Sequence, residues 1–294
     1  MLSKFFVALM IIAVIFTSAC VGDEKISPAP KTVSKVAAQP LFDDTPAKVA
    51  QYLNDGTEYA VYLAYPQKSS ETFVYNSKPM RSASMIKVFI MAAIMDKAER
   101  GELDINETLT LRGSDKVGGA GILAGYPSGS ELSLREVMEL MITHSDNTAT
   151  NILIDRLGMS TINDYIQREG YGDTILRRKM MDFDAVAAGR ENFSSVRDLG
   201  TFFTRLYNYE CVGERYDKIM IDFLVKQTDT DCFPAALPDK QIAHKTGALD
   251  GLYDDGGIIY SDSGDAVLVI MTENFTGEWN TIQHMKAFAR AVID

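Results

Sequence analysis

The sequence predicts an α/β fold of the α+β kind, in which an antiparallel sheet is flanked by helices and an all-helical subdomain is inserted between its strands. Three observations carry this. Two β-rich runs open the body, a long stretch of helical periodicity follows, and three more β-rich runs with an amphipathic helix close it. Strands at both ends of the body require a sheet that is discontinuous in sequence.

Thr45-Pro46 followed by Val49, Ala50 and Leu53 combines an N-cap, a first-turn proline and one apolar stripe, which predicts a short opening helix. The runs TEYAVYLAY (57–65) and ETFVYN (71–76) are separated by Pro-Gln-Lys-Ser-Ser and read as a hairpin. From Ser84 to about residue 230 the pattern is helical. There Ser133-Leu-Arg-Glu136 supplies a capping box for a helix carrying Val137, Leu140 and Met141. Strands are expected around QIAHKTG (241–247), GGIIYS (256–261) and DAVLVIMTE (265–273). Trp279, Ile282, Met285, Ala289 and Val292 mark the apolar face of a closing helix.

A chain of 294 residues with 46% hydrophobic content can build a substantial core, which excludes disorder for most of it. Its 40 acidic and 29 basic residues give a formal charge of −11, so nucleic acid is not an expected partner. His144, His244 and His284 form no HxH or HExxH pattern, and three cysteines are too few for a Cys-rich zinc module. No metal or other cofactor is expected, and a monomer is.

Residues 1–19 carry one Lys and a run of twelve apolar residues from Phe5 to Phe16, the pattern of an export signal peptide. That run is short of the roughly 20 residues that a membrane span needs. The end Thr-Ser-Ala-Cys resembles the lipobox of bacterial-type lipoproteins, so Cys20 is an expected lipidation site, with plain secretory cleavage as the alternative. Residues 20–42, with Pro28, Pro30 and Pro40 among Lys, Ser and Ala, read as a tether. The body then spans 43–294, with an α/β subdomain from 43–83 and 236–294 and a helical one from 84–235. The expected location is the cell envelope, with the membrane reached through the lipid anchor. An oxidising compartment makes Cys211 and Cys232 a possible disulfide; two ordinary core thiols are the alternative.

Ser84-Met-Ile-Lys87 is the single Ser-x-x-Lys of the chain. On a helix this spacing puts both side chains on one face, and the apolar run Val88 to Ile94 predicts burial, which lowers a lysine's pKa toward that of a general base. Ser145-Asp146-Asn147 lies between two helical stretches, where short polar residues alone would mean an ordinary cap. Lys245-Thr246-Gly247 sits on a predicted strand, with a glycine that allows backbone close to a ligand. Each motif is weak alone. Together, once each and in this order, they point to an active site.

In these motifs, and in GAGIL (119–123), SDNTATN (145–151), FPAALP (233–238) and AHKTG (243–247), the chain resembles class A β-lactamase-type serine hydrolases of the penicillin-recognising superfamily, over about residues 43–294. The resemblance implies a β-lactamase/transpeptidase-like fold and an acyl-enzyme mechanism on β-lactams or cell-wall peptides. By it, Ser84 is the nucleophile, Lys87 its base and Ser145 the proton relay. Lys245 adds positive charge, and Thr246 bonds the substrate carboxylate. Asn147 holds Lys87 or the substrate amide. The N–H groups of Ser84 and Ala248, just after Gly247, form the oxyanion hole.

One departure bears on turnover. The family's Glu-x-x-Leu-Asn loop, whose Glu orients the deacylating water, is missing from LRRKMMDFDAVAAGREN (176–192). Spacing puts the Glu position near Met180 or Met181, with Asp182, Asp184 and Glu191 as the nearby carboxylates. If Asp182 or Asp184 points at the Ser84 hydroxyl, β-lactam hydrolysis is favoured. If Met180 and Met181 fill that space, a penicillin-binding peptidase, an esterase or a binding module with slow deacylation gains.

Overall fold

The computed structural model describes residues 41–293. The expected signal peptide, Cys20 and the tether through Pro40 lie outside the described residues. The elements are α1 (Thr45–Tyr52), β1 (Glu58–Ala64), β2 (Thr72–Tyr75), β3 (Met80–Arg81), a 3-10 turn (Ala83–Ile86), α2 (Lys87–Glu99), β4 (Thr108–Thr110), β5 (Glu131–Ser133), α3 (Leu134–Thr143), α4 (Asn147–Leu157) and α5 (Met159–Arg168). They continue with α6 (Phe183–Ala187), β6 (Phe193–Ser194), α7 (Val196–Tyr207), α8 (Glu214–Val225), α9 (Phe233–Ala236), β7 (Gln241–Leu249), β8 (Leu252–Tyr260), β9 (Ala266–Glu273) and α10 (Glu278–Ile293). Five strands form one antiparallel sheet in the order β2-β1-β9-β8-β7. The first and last strands of the body pair directly, from Glu58 opposite Glu273 to Ala64 opposite Val267.

Period-two alternation feeds both faces of this sheet. Ala60, Tyr62, Ala64, Val267, Val269 and Met271 face the helical layer, while Val61, Leu63, Leu268 and Ile270 face α1, α9 and α10. Strands buried on both sides read as near-continuous apolar runs, which is why β1 and β9 stand out in the sequence. Helix α2 runs through the helical core: Val88 to Met95 are 0–1% exposed. Burial of each large side chain there contributes about 1.5–3 kcal/mol.

Phe42 already packs on the body, stacked on Tyr65 with ring centroids 5.7 Å apart. The chain returns to the outer layer at Cys232 and Phe233, so the boundary expected at 235 falls inside α9. The region expected to be all-helical also contains a small sheet, β4 with β5, and the strand β6, which pairs with β3 just before it. Strands of two or three residues are too short to leave a periodic signal. Trp279 does not join the apolar face of α10; it is 74% exposed, whereas Ile282, Met285, Ala289 and Val292 are buried.

The possible Cys211–Cys232 disulfide is not formed: both thiols are free and buried. Cys211 lies in the helical layer, where its sulfur meets the Tyr165 hydroxyl at 3.7 Å, and Cys232 lies in the outer cluster at the start of α9. The sheet separates their cores, so the short sulfur–sulfur approach of a disulfide is out of reach.

Asp254 on β8 is fully buried; Oδ1 accepts from the Thr272 N–H at 2.9 Å and Oδ2 has no partner. Burial raises its pKa well above the usual carboxylate range. A pKa raised by folding contributes stability in acid that is lost as pH climbs through the raised value. Asp254→Asn mimics the neutral acid. It should match the parent in melting temperature near pH 3, below the ordinary carboxylate pKa, and exceed it increasingly as pH rises from about 4 toward the raised value, by about 2–4 °C per kcal/mol for a chain of this size. Thermal scans across pH check this, and parallel curves would count against a buried neutral Asp254.

Candidate active site

The site lies where β7, the edge strand of the sheet, meets the helical layer. Ser84 is in the 3-10 turn that leads into α2, and Lys87 is the first residue of α2. With three residues per turn, side chains at i and i+3 align, so both project from one face of the turn, Ser84 at the cleft and Lys87 buried behind it. Ala83, just before the serine, holds a left-handed φ of 40°, as do Ser145 at 51° and Met181 at 61°. Backbone strain of this kind gathers at functional sites.

Lys87 is 0% exposed. Its Nζ donates to Ser145 O at 2.6 Å, Ser145 Oγ at 3.1 Å and Asn147 Oδ1 at 3.0 Å. Burial, and then the nearby Lys245 charge, hold its pKa well below that of a free amine, against the opposing pull of Asp146. A neutral amine has two N–H groups and one lone pair, so the Ser145 hydroxyl can donate to it. Ser84 and Lys87 are not hydrogen-bonded to each other; nucleophile–base contacts commonly tighten only when substrate is bound.

Ser145 is shared by both lysines. Lys245 Nζ donates to Ser145 Oγ at 3.1 Å and to Thr246 O at 2.7 Å. Burial lowers the Lys245 pKa to about 8, while Asp229 and Asp255 resist the shift. Both amines are pushed toward the neutral form: Lys245, at about 8, keeps most of its charge at neutral pH, and Lys87 is shifted in the direction a general base needs.

Asp146 locks the motif in place. Its Oδ1 caps α4 through Ala149 N at 2.8 Å, and its Oδ2 accepts from Ile122 N at 2.6 Å and Leu123 N at 2.7 Å. Asn147 adds its N–H to Ala120 O at 3.0 Å and its Nδ2 to Gly118 O at 3.2 Å. The facing loop must come so close that a Cβ on Gly121, whose φ is 114°, would sit 2.3 Å from Asp146 Cγ. The cap that short polar residues at this junction imply is thus Asp146, and its second oxygen, which holds the loop at Ile122 and Leu123, has no signal in the sequence.

On β7, Ala248 is opposite Tyr253 of β8. Tyr253 turns its N–H and C=O to Thr272 Oγ1 on the β9 side, so Ala248 turns its own N–H to the open edge and the cleft. Among the described residues, the Thr246 hydroxyl carries no hydrogen bond. Gly247 serves the strand's approach to the serine turn instead of lining the cleft: a Cβ there would be 3.2 Å from Ala83 Cβ and from Met85 Cγ.

A cleft of about 350 Å³ is lined by Ser84, Asn147 and Ala248 on one side and by Met180, Met181, Phe183 and Val186 on the other. The Met180 backbone is fixed by Asn151, whose Oδ1 accepts from Met180 N at 2.8 Å and whose Nδ2 donates to Met180 O at 3.0 Å. The three nearby carboxylates are placed otherwise. Asp182 caps α6 at Ala185 N, Asp184 is exposed in the first turn of α6, and Glu191 is held by Arg178 at 2.7 Å. Of these only Glu191 borders the cleft, and the methionines fill the wall where a water-activating carboxylate was sought.

A Ser-Lys-Ser-Lys cluster between an antiparallel sheet and a helical layer belongs to a serine hydrolase. The family model of the β-lactamase enzyme family matches residues 44–294, and the chain belongs to that family. The β-lactamase of Streptomyces albus G is 26% identical over 229 residues, 74% of this chain and 73% of that one. Among solved structures, the β-lactamase from Sphaerobacter thermophilus DSM 20745 superposes with a TM-score of 0.78 at 29% identity, over 85% of this chain and 95% of that one. A mutant of PBP-A, captured as its acyl-enzyme complex with penicillin G, superposes with a TM-score of 0.76 at 26% identity, over 85% and 94%. The fold is β-lactamase/transpeptidase-like, and the chain is a β-lactamase-type serine hydrolase.

Proposed function

We propose that β-lactams and related acyl-peptide bonds acylate Ser84, and that hydrolysis of the resulting acyl-enzyme is the slow step. The observation that carries this is the pair of buried lysines sharing Ser145 beside Ser84. Ser84 Oγ bonds to the carbonyl carbon as its proton passes to the Lys87 amine. The carbonyl oxygen takes up negative charge between the N–H groups of Ser84 and Ala248. When the C–N bond breaks, the proton returns from Lys87 through Ser145 to the leaving nitrogen, and the acyl group stays on Ser84. Water then has to cleave the ester with Glu191, the carboxylate of that loop that borders the cleft, tied to Arg178, and the apolar side chains of Met180 and Met181 favour slow turnover.

Intact-mass measurement over time after mixing with a penicillin tests the order of steps. A penicilloyl adduct that forms rapidly and decays slowly, with product released, is the expected result. An adduct that never decays would make the protein a penicillin-binding peptidase or binding module, and no adduct would end the acyl-enzyme reading.

Lys245 is proposed to capture the substrate carboxylate together with Thr246. Lys245→Ala should lower kcat/KM for carboxylate-bearing substrates roughly 10²-fold, against less than tenfold for neutral esters. With a value near 8, the charge is present at pH 7 and declines through pH 8, so the parent's preference for carboxylates should fade above that pH. Equal losses for both substrate types would remove the carboxylate role. Export by residues 1–19 and lipidation at Cys20 complete the proposal on sequence support alone, and the mass of the mature N-terminus tests both.

A further inference from the structure

We infer that Met181 is an oxidation site at which a two-electron oxidant of the peroxide or hypohalous-acid class forms a sulfoxide, and that this modification slows acylation of Ser84. The second half rests on the acyl-enzyme at Ser84; the first does not. Met181 is 36% exposed and borders the cleft of the reacting serine. Every other described methionine is buried except Met159, which is half-buried. Oxidants select sulfur by access, so the thioether that reacts first is the one in the wall of the active site.

The thiols of the described residues do not compete. Cys211 and Cys232 are buried, and burial pushes the first up to about 12 and the second well above the usual thiol range, so neither presents a thiolate. With hydrogen peroxide, a lone pair of the Met181 sulfur attacks one peroxide oxygen and the O–O bond breaks. The sulfur is oxidised from thioether to sulfoxide and the peroxide is reduced. The departing hydroxide takes up the proton of the transferred oxygen and leaves as water.

What the new oxygen meets decides the consequence. The backbone cannot turn the side chain away: Asn151 holds Met180 on one side, and the Phe183 N–H donates to Met181 O at 3.1 Å on the other. Gly119, with a φ of 80°, approaches so closely that a Cβ there would be 2.9 Å from Met181 Sδ and 2.6 Å from Asn147 Nδ2. Thioether and amide thus flank the same point of the wall. Asn147 Nδ2 carries two N–H groups and spends one on Gly118 O at 3.2 Å. A thioether accepts the other only weakly, whereas a sulfoxide oxygen is polar and accepts it well. The oxidised side chain therefore occupies an N–H that the cleft otherwise offers to a substrate. It also draws on the residue whose Oδ1 holds Lys87 Nζ at 3.0 Å, so the change reaches the base as well as the cleft.

The test treats the full chain with hydrogen peroxide, removes the oxidant, and reads the position of added oxygen by peptide mass and the rate of penicillin labelling by intact mass. Met181 should gain one oxygen before Met159 and well before the buried methionines. The labelling rate should fall in step with it, roughly three- to tenfold, as for one hydrogen bond redirected. In Met181→Leu, whatever its starting rate, the same treatment should leave labelling as it was. Oxidation of Met181 without loss of labelling, or an equal loss in Met181→Leu, would overturn the effect on acylation, and oxidation of buried methionines ahead of Met181 would overturn the site. No labelling of the untreated protein would instead overturn the acyl-enzyme, and with it the effect on acylation, while the peptide masses still decide whether Met181 is the oxidation site.

Discussion

Penicillin should leave no covalent mark on a Ser84→Ala variant, and its hydrolysis should fall by about 10⁴- to 10⁶-fold, to the background left by binding and oxyanion stabilisation. The fold should be untouched, because Ser84 Oγ makes no hydrogen bond among the described residues and the side chain borders an open cleft. Lys87→Met should be nearly as damaging, since it removes the base while keeping the length and burial of the side chain. Nucleophile and base act as a unit, so Ser84→Ala with Lys87→Met should be hardly worse than either change alone. Intact-mass labelling with parallel melting curves reads both. Persistent labelling of Ser84→Ala would place the nucleophile elsewhere, and strictly multiplicative losses would show that the two groups act in separate steps.

Met180→Glu should shorten the life of the penicilloyl adduct about 10²- to 10⁴-fold, the usual contribution of a general base. The backbone there is already fixed by its two bonds to Asn151, and the side chain borders the cleft beside Ser84. A carboxylate of similar length brings a proton acceptor to the acyl group without rebuilding the loop. Met180→Gln, which has the shape without the base, should keep the parent lifetime. The decay of the adduct after excess penicillin is removed separates the two variants. An unchanged lifetime in Met180→Glu would mean that something other than a missing carboxylate limits deacylation.

Much of the fold is legible in the chain because its long elements repeat a simple period. The alternation of residues 57–65 and 265–273 and the apolar run after Lys87 correspond to β1, β9 and α2. Elements of two or three residues, β3 to β6, contain too few positions to show any period. Trp279 misleads because helical spacing says which residues share a face, not whether a neighbour covers it. The reactive groups are legible as motifs, since Ser84, Lys87, Ser145 and Lys245 are rare only in combination, and the structure brings Lys87, Ser145 and Lys245 into one hydrogen-bond chain beside Ser84. What spacing does not convey is what a polar side chain is used for. Asp182 is a helix cap, Asp146 holds a loop, and Gly247 makes room for the serine turn. The fates of Cys211 and Cys232 depend on which side of the sheet each occupies, which their separation along the chain does not encode.

The direct pairing of β1 with β9 sets the order of events while the protein is being made. A ribosome delivers β1 and β2 early, yet the neighbour that buries β1 in the sheet is β9, synthesised about 200 residues later. The hairpin therefore waits, with one edge unsatisfied, through the production of nearly the whole chain. Contacts of such long range are slow to form, and the entropy of closing the loop is lost before the sheet repays it. A nascent chain held this way stays open until its end emerges. Loss of β9 by premature termination would leave the earlier strands as adhesive edges, with aggregation, not partial activity, as the outcome.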